Sequence, residues 1–383
     1  MKVMRRTKSA PVLNASVWKR KVDTRNPGMR SISLDAEAVS FQVFFHANNY
    51  QFERYLQRIL TMNIRLLQNC ISPSQLVAVQ PGFEAFDFLS NPKPELREFQ
   101  VFEHLFVNGV HNTADVLGAV SSRFHAKTLV SGLELKNWIQ CTPGYEVYSV
   151  NPWPQWCYAN FNSHERAKII HRDNDFLLNA QRVLDLARVP LDFLNPGRQH
   201  NKNYGMSSYW FGTPRFWKKF MSELIFPVIR LTASELGSTL HDFLYRPITY
   251  YGKSVHRAGA LPFLLERATS LYVQAQFADD VVYYPRSREQ ILACCVFPFE
   301  RDLIELAGDQ VDAWDEVGVY DHDAMDYFQS ATVHASTGWL SYMGRHPVDF
   351  DHGDPRPHHP WFAHESRART RGTSRLETVE AQA

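Results

Sequence analysis

Short apolar runs alternate with amphipathic stretches through most of the chain, and many of the runs end at proline, glycine or asparagine. Runs of β-branched and aromatic residues are typical of strands, whereas apolar residues three or four positions apart indicate helices. Strands are predicted at 39–45, 76–79, 146–150, 206–211 and 278–284. Helices are predicted at 50–67, 133–139, 176–186, 215–229 and 263–272, and the segment 99–106 fits either element. This alternation predicts an α/β fold.

The strand predicted at 146–150 ends in an aromatic turn, Asn151-Pro152-Trp153-Pro154. The two prolines stop the strand because proline has no N–H to donate to a neighbouring strand. A polar Asn151 and the ring of Trp153 therefore stand at the carboxyl end of a strand, where open α/β sheets bind their ligands. Aromatic residues also fill ordinary cores, so a well-packed corner is the alternative interpretation.

A first strand at 39–45 is followed by a polar turn that contains His46, Asn48 and Asn49, and then by the helix predicted at 50–67. A strand, a polar turn and a helix open a nucleotide-binding α/β unit. The N–H groups at the start of such a helix, with the two asparagines, suit a phosphate or a uracil edge. The alternative is that the asparagines only cap the helix.

Charged side chains at two other places suit a nucleotide diphosphate. Arg123 and Lys127 follow a small apolar run, and a guanidinium fork and an ammonium group both bind phosphate. Asp173 and Asp175 form an Asp-x-Asp pattern, which suits a divalent cation. Both pairs have a plain alternative, because exposed cations are common and acidic residues favour the first turn of a helix.

The helix predicted at 263–272 carries Glu266 and Arg267 between leucines. A carboxylate on a helix near the end of a sheet suits a general base. The competing interpretation, which the residues alone favour, is an ion pair of Glu266 with Arg257 or Arg267.

Composition also predicts the domain organisation. The polar composition of residues 1–38 predicts a flexible leader. One α/β domain is predicted over residues 39–300, and a helical and loop extension over 301–343. Residues 344–383 are rich in His, Asp and Pro, which favours a disordered tail over a metal site. The polar loop at 190–203 predicts a mobile lid.

Charge and cysteine content limit the function classes. With 41 Lys and Arg against 40 Asp and Glu, the chain lacks the basic excess of nucleic-acid binders. Five cysteines without zinc-type spacing predict reduced thiols in a cytoplasmic protein. No apolar run reaches the ~18 residues of a membrane span. The basic N-terminus predicts a solvated tail, with peripheral membrane contact as the alternative.

Four segments, taken in order, resemble a bacterial glycosyltransferase-like family of capsular-polysaccharide and O-antigen synthesis. The segments are GAVSSRFHAKT (118–128), GYEVYSVNPWPQW (144–156), SSYWFGTPRFWKKFMSELIFPVI (207–229) and HRAGALPFLLERATSLYV (256–273). The resemblance implies a GT-A-like fold, which is a single mixed sheet flanked by helices. It also implies a nucleotide-sugar donor and a glycan or lipid-linked glycan acceptor. Residues 46–49, 151–153, 207–210 and 257–267 are expected to line one shared hollow.

The resemblance also implies roles for individual residues. The donor would meet the strand at 39–45 with its turn, Asn151 and Trp153, and the acceptor would meet Tyr209 and Trp210, with Trp153 and Trp210 as stacking faces. Glu266 would be the base or would orient it, and Arg257 and Arg267 would bind phosphate. The chain departs from the family at Asn151-Pro152, where GT-A enzymes carry a metal-binding Asp-x-Asp. Dependence on Mn²⁺ or Mg²⁺ is therefore open, and Arg123, Lys127 and Arg257 are the alternative partners of the leaving diphosphate.

Two rival functions remain open. The missing acidic pair favours a non-catalytic protein on the same scaffold, which would bind a nucleotide sugar or a glycan or take part in assembly. An RNA-binding or nucleic-acid-modifying protein is the weaker rival, because the near-neutral charge argues against it.

Overall fold

The computed structural model describes residues 21–22, 32–36, 39–43, 62–170, 175–250, 253–295 and 297–345. The chain divides into two compact units, 1–62 with 136–143 and 63–135 with 144–383. In the first unit, the strands β1 (Lys21–Val22), β2 (Ile32–Ala36) and β3 (Val39–Val43) form an antiparallel sheet in that order. Strands β1 and β2 thus lie within the segment predicted as a flexible leader.

The second unit contains the main sheet. Its described strands are β4 (Ile64–Cys70), β5 (Glu84–Asp87), β6 (Val116–Ser121), β7 (Val147–Ser149), β8 (Trp210–Gly212), β9 (Ile248–Tyr250), β10 (Lys253–Ala258) and β11 (Val281–Tyr283). Strands β9 and β10 pair with each other as an antiparallel hairpin. The other strands form one six-stranded sheet in the order β11-β7-β8-β6-β4-β5.

The six-stranded sheet is mixed. Strand β8 pairs antiparallel with β6 and β7, whereas the pairs β11–β7, β6–β4 and β4–β5 are parallel. Five strands therefore end at the same edge, which we name the carboxyl edge, and β8 begins there. The prediction of an α/β fold with one mixed sheet and flanking helices is confirmed.

Helices connect most of these strands. They are α1 (Pro73–Val77), α2 (Glu98–Val107), α3 (Phe124–Thr128), α4 (Gly132–Cys141), α5 (Trp156–Ala159), α6 (Ser163–Ile170), α7 (Phe176–Leu186), α8 (Pro214–Phe220, Met221–Ile225 and Phe226–Ile229, the middle part π-helical), α9 (Ala233–Tyr245), α10 (Leu261–Phe277), α11 (Arg288–Ala293), α12 (Pro298–Val317) and α13 (His322–Arg345). Single 3-10 turns lie at Pro94–Leu96 and Val110–Asn112. None of the helices in the described part of the chain is long and apolar enough to span a bilayer.

Most of the predicted elements of the second unit are confirmed. Strands β7, β8 and β11 and helices α4, α7, α8 and α10 lie where the sequence places them, and the open segment 99–106 belongs to α2. Helix α8 begins one residue before the predicted 215: the Thr213 hydroxyl accepts a hydrogen bond from the Phe216 N–H at 3.3 Å, and Pro214 follows the cap.

Two predicted elements at the start of the sheet are wrong. The strand predicted at 76–79 overlaps the end of α1, and the second part of the helix predicted at 50–67 belongs to strand β4. Six of the seven residues of β4 are buried, because this inner strand is covered on both faces. A strand of this kind is nearly continuously apolar, so its spacing also fits a helix. The strand predicted at 39–45 contains β3, which belongs to the separate sheet of the first unit.

Aromatic side chains form the core between the sheet and the helices α2 and α8. The ring of Trp210 lies 4.8–4.9 Å from the rings of Phe102, Phe216, Trp217 and Phe220. The Trp217 indole donates to the Leu117 carbonyl at 2.9 Å, so its polar atom is satisfied inside the core. This core supports β6 and β8 from one face and holds their ends at the carboxyl edge.

Candidate functional site

The fold brings polar side chains from five segments to the carboxyl edge. Helix α2 lies between the parallel strands β5 and β6, and α10 leads into the parallel strand β11, so both helices begin at this edge. Strand β8 begins there because it runs the opposite way. We name the following residues the edge cluster: Arg97, Glu98, Ser121, Arg123, Lys127, Ser207, Tyr209 and Glu266.

Lys127 of α3 connects three of the predicted segments. Its ammonium group donates to the Ser207 hydroxyl at 3.4 Å. The same nitrogen lies 5.5 Å from the ring centroid of Tyr209 and 6.0 Å from that of Trp153. Lys127 therefore lies close to two of the stretches expected around a shared hollow, 151–153 and 207–210, whereas the turn at 46–49 lies outside the described residues.

The backbone before β8 holds Glu266 in place. Ser207 and Ser208 both have left-handed backbone angles, with φ of 61° and 52°. Non-glycine residues adopt this region at a cost, and two in succession point to a locally constrained turn. The Ser207 N–H donates a short hydrogen bond to Glu266 Oε1, which orients the half-buried carboxylate.

Glu98 is a second carboxylate of this cluster. Burial, and then the negative charge of Glu266, raises the pKa of Glu98 from 4.5 to about 6, while Arg97 and Lys127 act in the opposite direction. A like charge raises the pKa of a carboxyl only when it is close and poorly screened. The Glu98 carboxylate on α2 therefore lies near the Glu266 carboxylate on α10.

Two arginines lie beside these carboxylates. Burial, and the like charge of Arg97, lower the pKa of Arg123, while Tyr209 acts in the opposite direction. Arg97 is exposed just before α2, and its guanidinium lies 5.1 Å from the ring centroid of Phe263. Arg97 and Lys127 thus lie near Glu98, and Arg123 lies near Arg97, a group of three cations that suits an anionic ligand.

Tyr209 belongs to the edge cluster through its hydroxyl. This group shares a hydrogen bond with the Ser121 hydroxyl at 2.9 Å, and burial raises the pKa of Tyr209. Only 3% of Tyr209 is exposed, and its ring packs edge-on against Phe124 at 5.0 Å. The predicted acceptor residue Tyr209 is therefore mostly covered by protein.

The side chain of Asn151 is held by hydrogen bonds within the protein. Its side-chain oxygen accepts from the Trp153 N–H at 3.0 Å, and its amide nitrogen donates to Asn201 Oδ1 at 3.1 Å. Asn151 is 5% exposed, so these contacts replace the donor contact that the sequence predicts. Trp153 is more accessible: it stacks on Trp156 at 4.8 Å, and Arg166 covers the ring of Trp156 at 3.6 Å.

The structure places Trp210 and Arg267 away from any ligand. Trp210 lies in the aromatic core and is 3% exposed, so no face of its ring is open to a sugar. Arg267 is 2% exposed, and its guanidinium donates to the carbonyl oxygens of Phe263 and Ser163 and lies 5.3 Å from the ring centroid of Phe176. Contact of Arg267 with phosphate and a Glu266–Arg267 ion pair are both inconsistent with this position.

The remaining predicted residues do not enter the site. His46, Asn48, Asn49 and Asp173 lie outside the described residues. The backbone of Arg257 pairs with Thr249 in the β9–β10 hairpin, and its side chain is outside the described part. Asp175 is exposed and precedes α7 with a φ of 46°. Within the described ranges, no three His, Cys, Asp or Glu side chains group in a way that could hold a metal ion.

The loop at 190–203, predicted as a mobile lid, is packed onto the protein. Phe193 is fully buried, and the Arg198 guanidinium binds both carboxylate oxygens of Asp315 at 2.8 and 2.9 Å. Arg198 also donates to the carbonyl oxygens of Cys157, Asn160 and Phe161. The polar composition of the loop reflects these internal contacts and not a solvated lid.

Sequence reasoning missed Arg97 and Glu98. They stand where α2 begins, and the sequence does not decide whether 99–106 is a helix or a strand. Recognition of 98–107 as the crossover helix between β5 and β6 would have placed Glu98 at the carboxyl edge. The chamber lined by Glu266 and Ser208 has a volume of about 20 Å³, which is too small for a sugar.

The edge cluster combines groups that can accept a proton with groups that can neutralise an anion. Its carboxylates supply a general base, and its cations stabilise a negatively charged ligand or leaving group. The chain matches no family model, and neither a curated protein nor a solved structure is similar to it.

Proposed function

We propose that this protein is a glycosyltransferase that moves a sugar from a nucleotide-sugar donor to a glycan acceptor in surface polysaccharide synthesis. The observation that carries the proposal is the pairing of Glu98 and Glu266 beside Arg97, Arg123 and Lys127. This group lies at the carboxyl edge of a mixed α/β sheet, the edge where such sheets bind nucleotides. The GT-A-like arrangement implied by the sequence resemblance is part of the proposal.

The cations would bind the diphosphate of the donor. Arg97 and Arg123 are exposed at the entrance, and a guanidinium matches two phosphate oxygens at once. Lys127 lies deeper, against Ser207 and near Trp153, and adds a point charge. A diphosphate would relieve the repulsion between Arg97 and Arg123, and the same charges would stabilise it when it leaves.

Glu266 would act as the general base. In a displacement at the anomeric carbon, a bond forms to the acceptor oxygen, the bond to the diphosphate breaks, and a carboxylate takes the hydroxyl proton. The Ser207 N–H fixes one oxygen of Glu266, which leaves the other oxygen for that proton.

The residues at the strand end do not fit a divalent cation. The Asn151 side chain is hydrogen-bonded to Trp153 and Asn201, and Pro152 follows it. No step of the proposed reaction is assigned to Mn²⁺ or Mg²⁺, and the cations of the edge cluster take the charge-neutralising role.

A non-catalytic binder of nucleotide sugars or glycans is the second candidate. The observation that favours it is the replacement of an acidic pair by Asn151, which is engaged in structural hydrogen bonds. The paired carboxylates favour the enzyme, because a binding site for an anion gains nothing from two adjacent negative charges.

Binding of nucleoside diphosphates tests the proposal. We expect UDP or GDP to raise the melting temperature of the full chain, with a stabilisation of about 2.7 kcal/mol at a hundred times Kd. Arg123→Ala should reduce the shift, whereas Arg215→Ala should not, because Arg215 pairs with Glu146 at the opposite edge of the sheet. The matching nucleotide sugars should then be hydrolysed slowly by the wild-type protein.

The outcomes separate the two candidates. A shift with hydrolysis or transfer supports the enzyme, and a shift without any turnover of the donor supports the binding protein. No shift with any nucleoside diphosphate, with or without Mn²⁺, contradicts the enzyme and the nucleotide-sugar binder.

A further inference from the structure

A small chamber lies on the inner side of Glu266, between α10 and the sheet. Its volume is about 20 Å³, which exceeds the ~10–15 Å³ that one water molecule needs. Its wall includes Ser149, Gly205, Ser208, Trp210, Glu266 and Tyr283. Polar side chains from β7, β8, α10 and β11 thus surround a space that fits a single water.

Two polar atoms of this wall are buried and without a hydrogen-bond partner in the described structure. They are the Trp210 indole nitrogen and the Ser208 hydroxyl, and the two residues are 3% and 4% exposed. Buried polar groups are nearly always hydrogen-bonded, to protein or to ordered water. The indole N–H can only donate, so Trp210 requires an acceptor that the protein does not supply.

Other polar groups of the wall are already used. The Ser270 hydroxyl accepts from the Gly205 N–H at 3.2 Å, and the Tyr283 hydroxyl accepts from Gln274 at 2.7 Å. The Thr269 hydroxyl donates to the Leu265 carbonyl at 2.7 Å. These bonds keep three groups of the wall in place, and Trp210, Ser208, Glu266 and the Ser149 hydroxyl are the wall groups that can bond to a bound molecule.

We propose that the chamber holds one permanently bound water molecule that bridges Trp210 and Ser208 to Glu266. The water accepts from the Trp210 indole and donates to the Ser208 hydroxyl and the Glu266 carboxylate, so it makes the three bonds typical of a buried water. The water completes the hydrogen bonding of the strained turn at Ser207 and Ser208. It also holds the Glu266 carboxylate from the chamber side. Its effect on catalysis rests on the proposed function, whereas its presence does not.

A high-resolution crystal structure of the full chain tests the proposal directly. We expect one ordered water within hydrogen-bond distance of Trp210 Nε1, Ser208 Oγ and a Glu266 oxygen. In solution, the indole N–H of Trp210, assigned with Trp210→Phe, should show magnetisation transfer from a long-lived water. An empty chamber, or a protein acceptor on the Trp210 nitrogen, would overturn the proposal.

A filling variant provides the matched comparison. Val273 also lines the chamber, and Val273→Ile adds one methyl group there, so the water signal at Trp210 should disappear. Val183→Ile adds the same group at a fully buried valine that does not line the chamber, and the signal should persist. Loss of the signal in both variants, or in neither, contradicts the assignment.

If Val273→Ile does not fold, the wild-type crystal structure still decides whether the chamber holds a water. None of these readouts requires glycosyl transfer, so the water site can fail while the proposed function stands, and the reverse.

Discussion

Two groups of charged residues in the same unit show opposite arrangements. Near α12, Arg198 binds both oxygens of Asp315 and three backbone carbonyls, and its side chain is only 5% exposed. In the edge cluster, Arg97 lies near Arg123 and Glu98 lies near Glu266, so like charges are neighbours. In the first group opposite charges are in direct contact, whereas in the second like charges lie close together beside opposite ones.

The difference indicates which group is functional. A structural ion pair stabilises the fold only when opposite charges meet with good geometry and the remaining hydrogen bonds are filled, as at Arg198. Neighbouring like charges reduce stability and shift pKa values, and such shifts concentrate at functional sites. The contrast therefore favours the edge cluster as the site, and three substitutions test it, in order of decreasing expected effect.

The largest effect is expected from Glu266→Gln. The amide keeps the shape of the side chain and its contact with the Ser207 N–H but cannot take a proton. We expect transfer to fall by about 10²–10⁴-fold, with unchanged donor affinity and melting temperature. Steady-state kinetics measure the rate of transfer, and nucleotide titration measures the donor affinity.

Glu305→Gln, at a surface pair with Arg301, is the control and should leave the rate unchanged. An unchanged rate in Glu266→Gln removes this residue from the mechanism, and a variant that fails to fold makes its role structural.

Breaking the structural pair comes next. Arg198→Met leaves the carboxylate of Asp315, which is 15% exposed, without its partner, and we expect the free energy of unfolding to fall by about 3–5 kcal/mol. Lys93→Met breaks the exposed pair with Glu103 and should cost about 0–1 kcal/mol. Urea unfolding of both variants measures the contrast. Equal losses of unfolding free energy in the two variants would mean that the Arg198 network does not stabilise the loop at 190–203 more than an exposed ion pair would.

The smallest effect concerns the pH dependence of stability. The pKa of Glu98 is higher in the folded protein, about 6 against an ordinary 4.5, so the folded state holds the proton more tightly. The stability that this proton supplies is complete below pH 4.5 and is lost as the pH rises through about 6. We therefore expect Glu98→Gln to be increasingly more stable than the wild type between these values, with a constant difference above them.

Urea unfolding at a series of pH values measures this difference, and Glu103→Gln on the same helix is the control. A flat difference across the whole range would show that neither burial nor the charge of Glu266 raises the pKa of Glu98. Repeating the series in Glu266→Gln should shift the transition to lower pH, because a neighbouring negative charge has been removed.

The site was only partly predictable from the chain. Lys127, Arg123 and Glu266 were found because cations and carboxylates next to small or apolar runs stand out. The resemblance implied that Glu266 is the base and that Arg267, next to it in sequence, binds phosphate. Successive helix residues point about 100° apart, so one of them faces the carboxyl edge and the other faces the core. Glu98 was missed because its helix was not distinguished from a strand.

By itself, the sequence determined the alternation of strands and helices, the cap and start of α8 at Thr213, and the strand that ends at Asn151. These features are local, since they depend on apolar spacing, proline and capping side chains within a few residues. Only the tertiary structure decided that Trp210 is core, that Asn151 is held by Asn201, and that Glu98 meets Glu266. Those outcomes depend on which strands pair and which way each one runs, and residues distant in sequence supply the contacts.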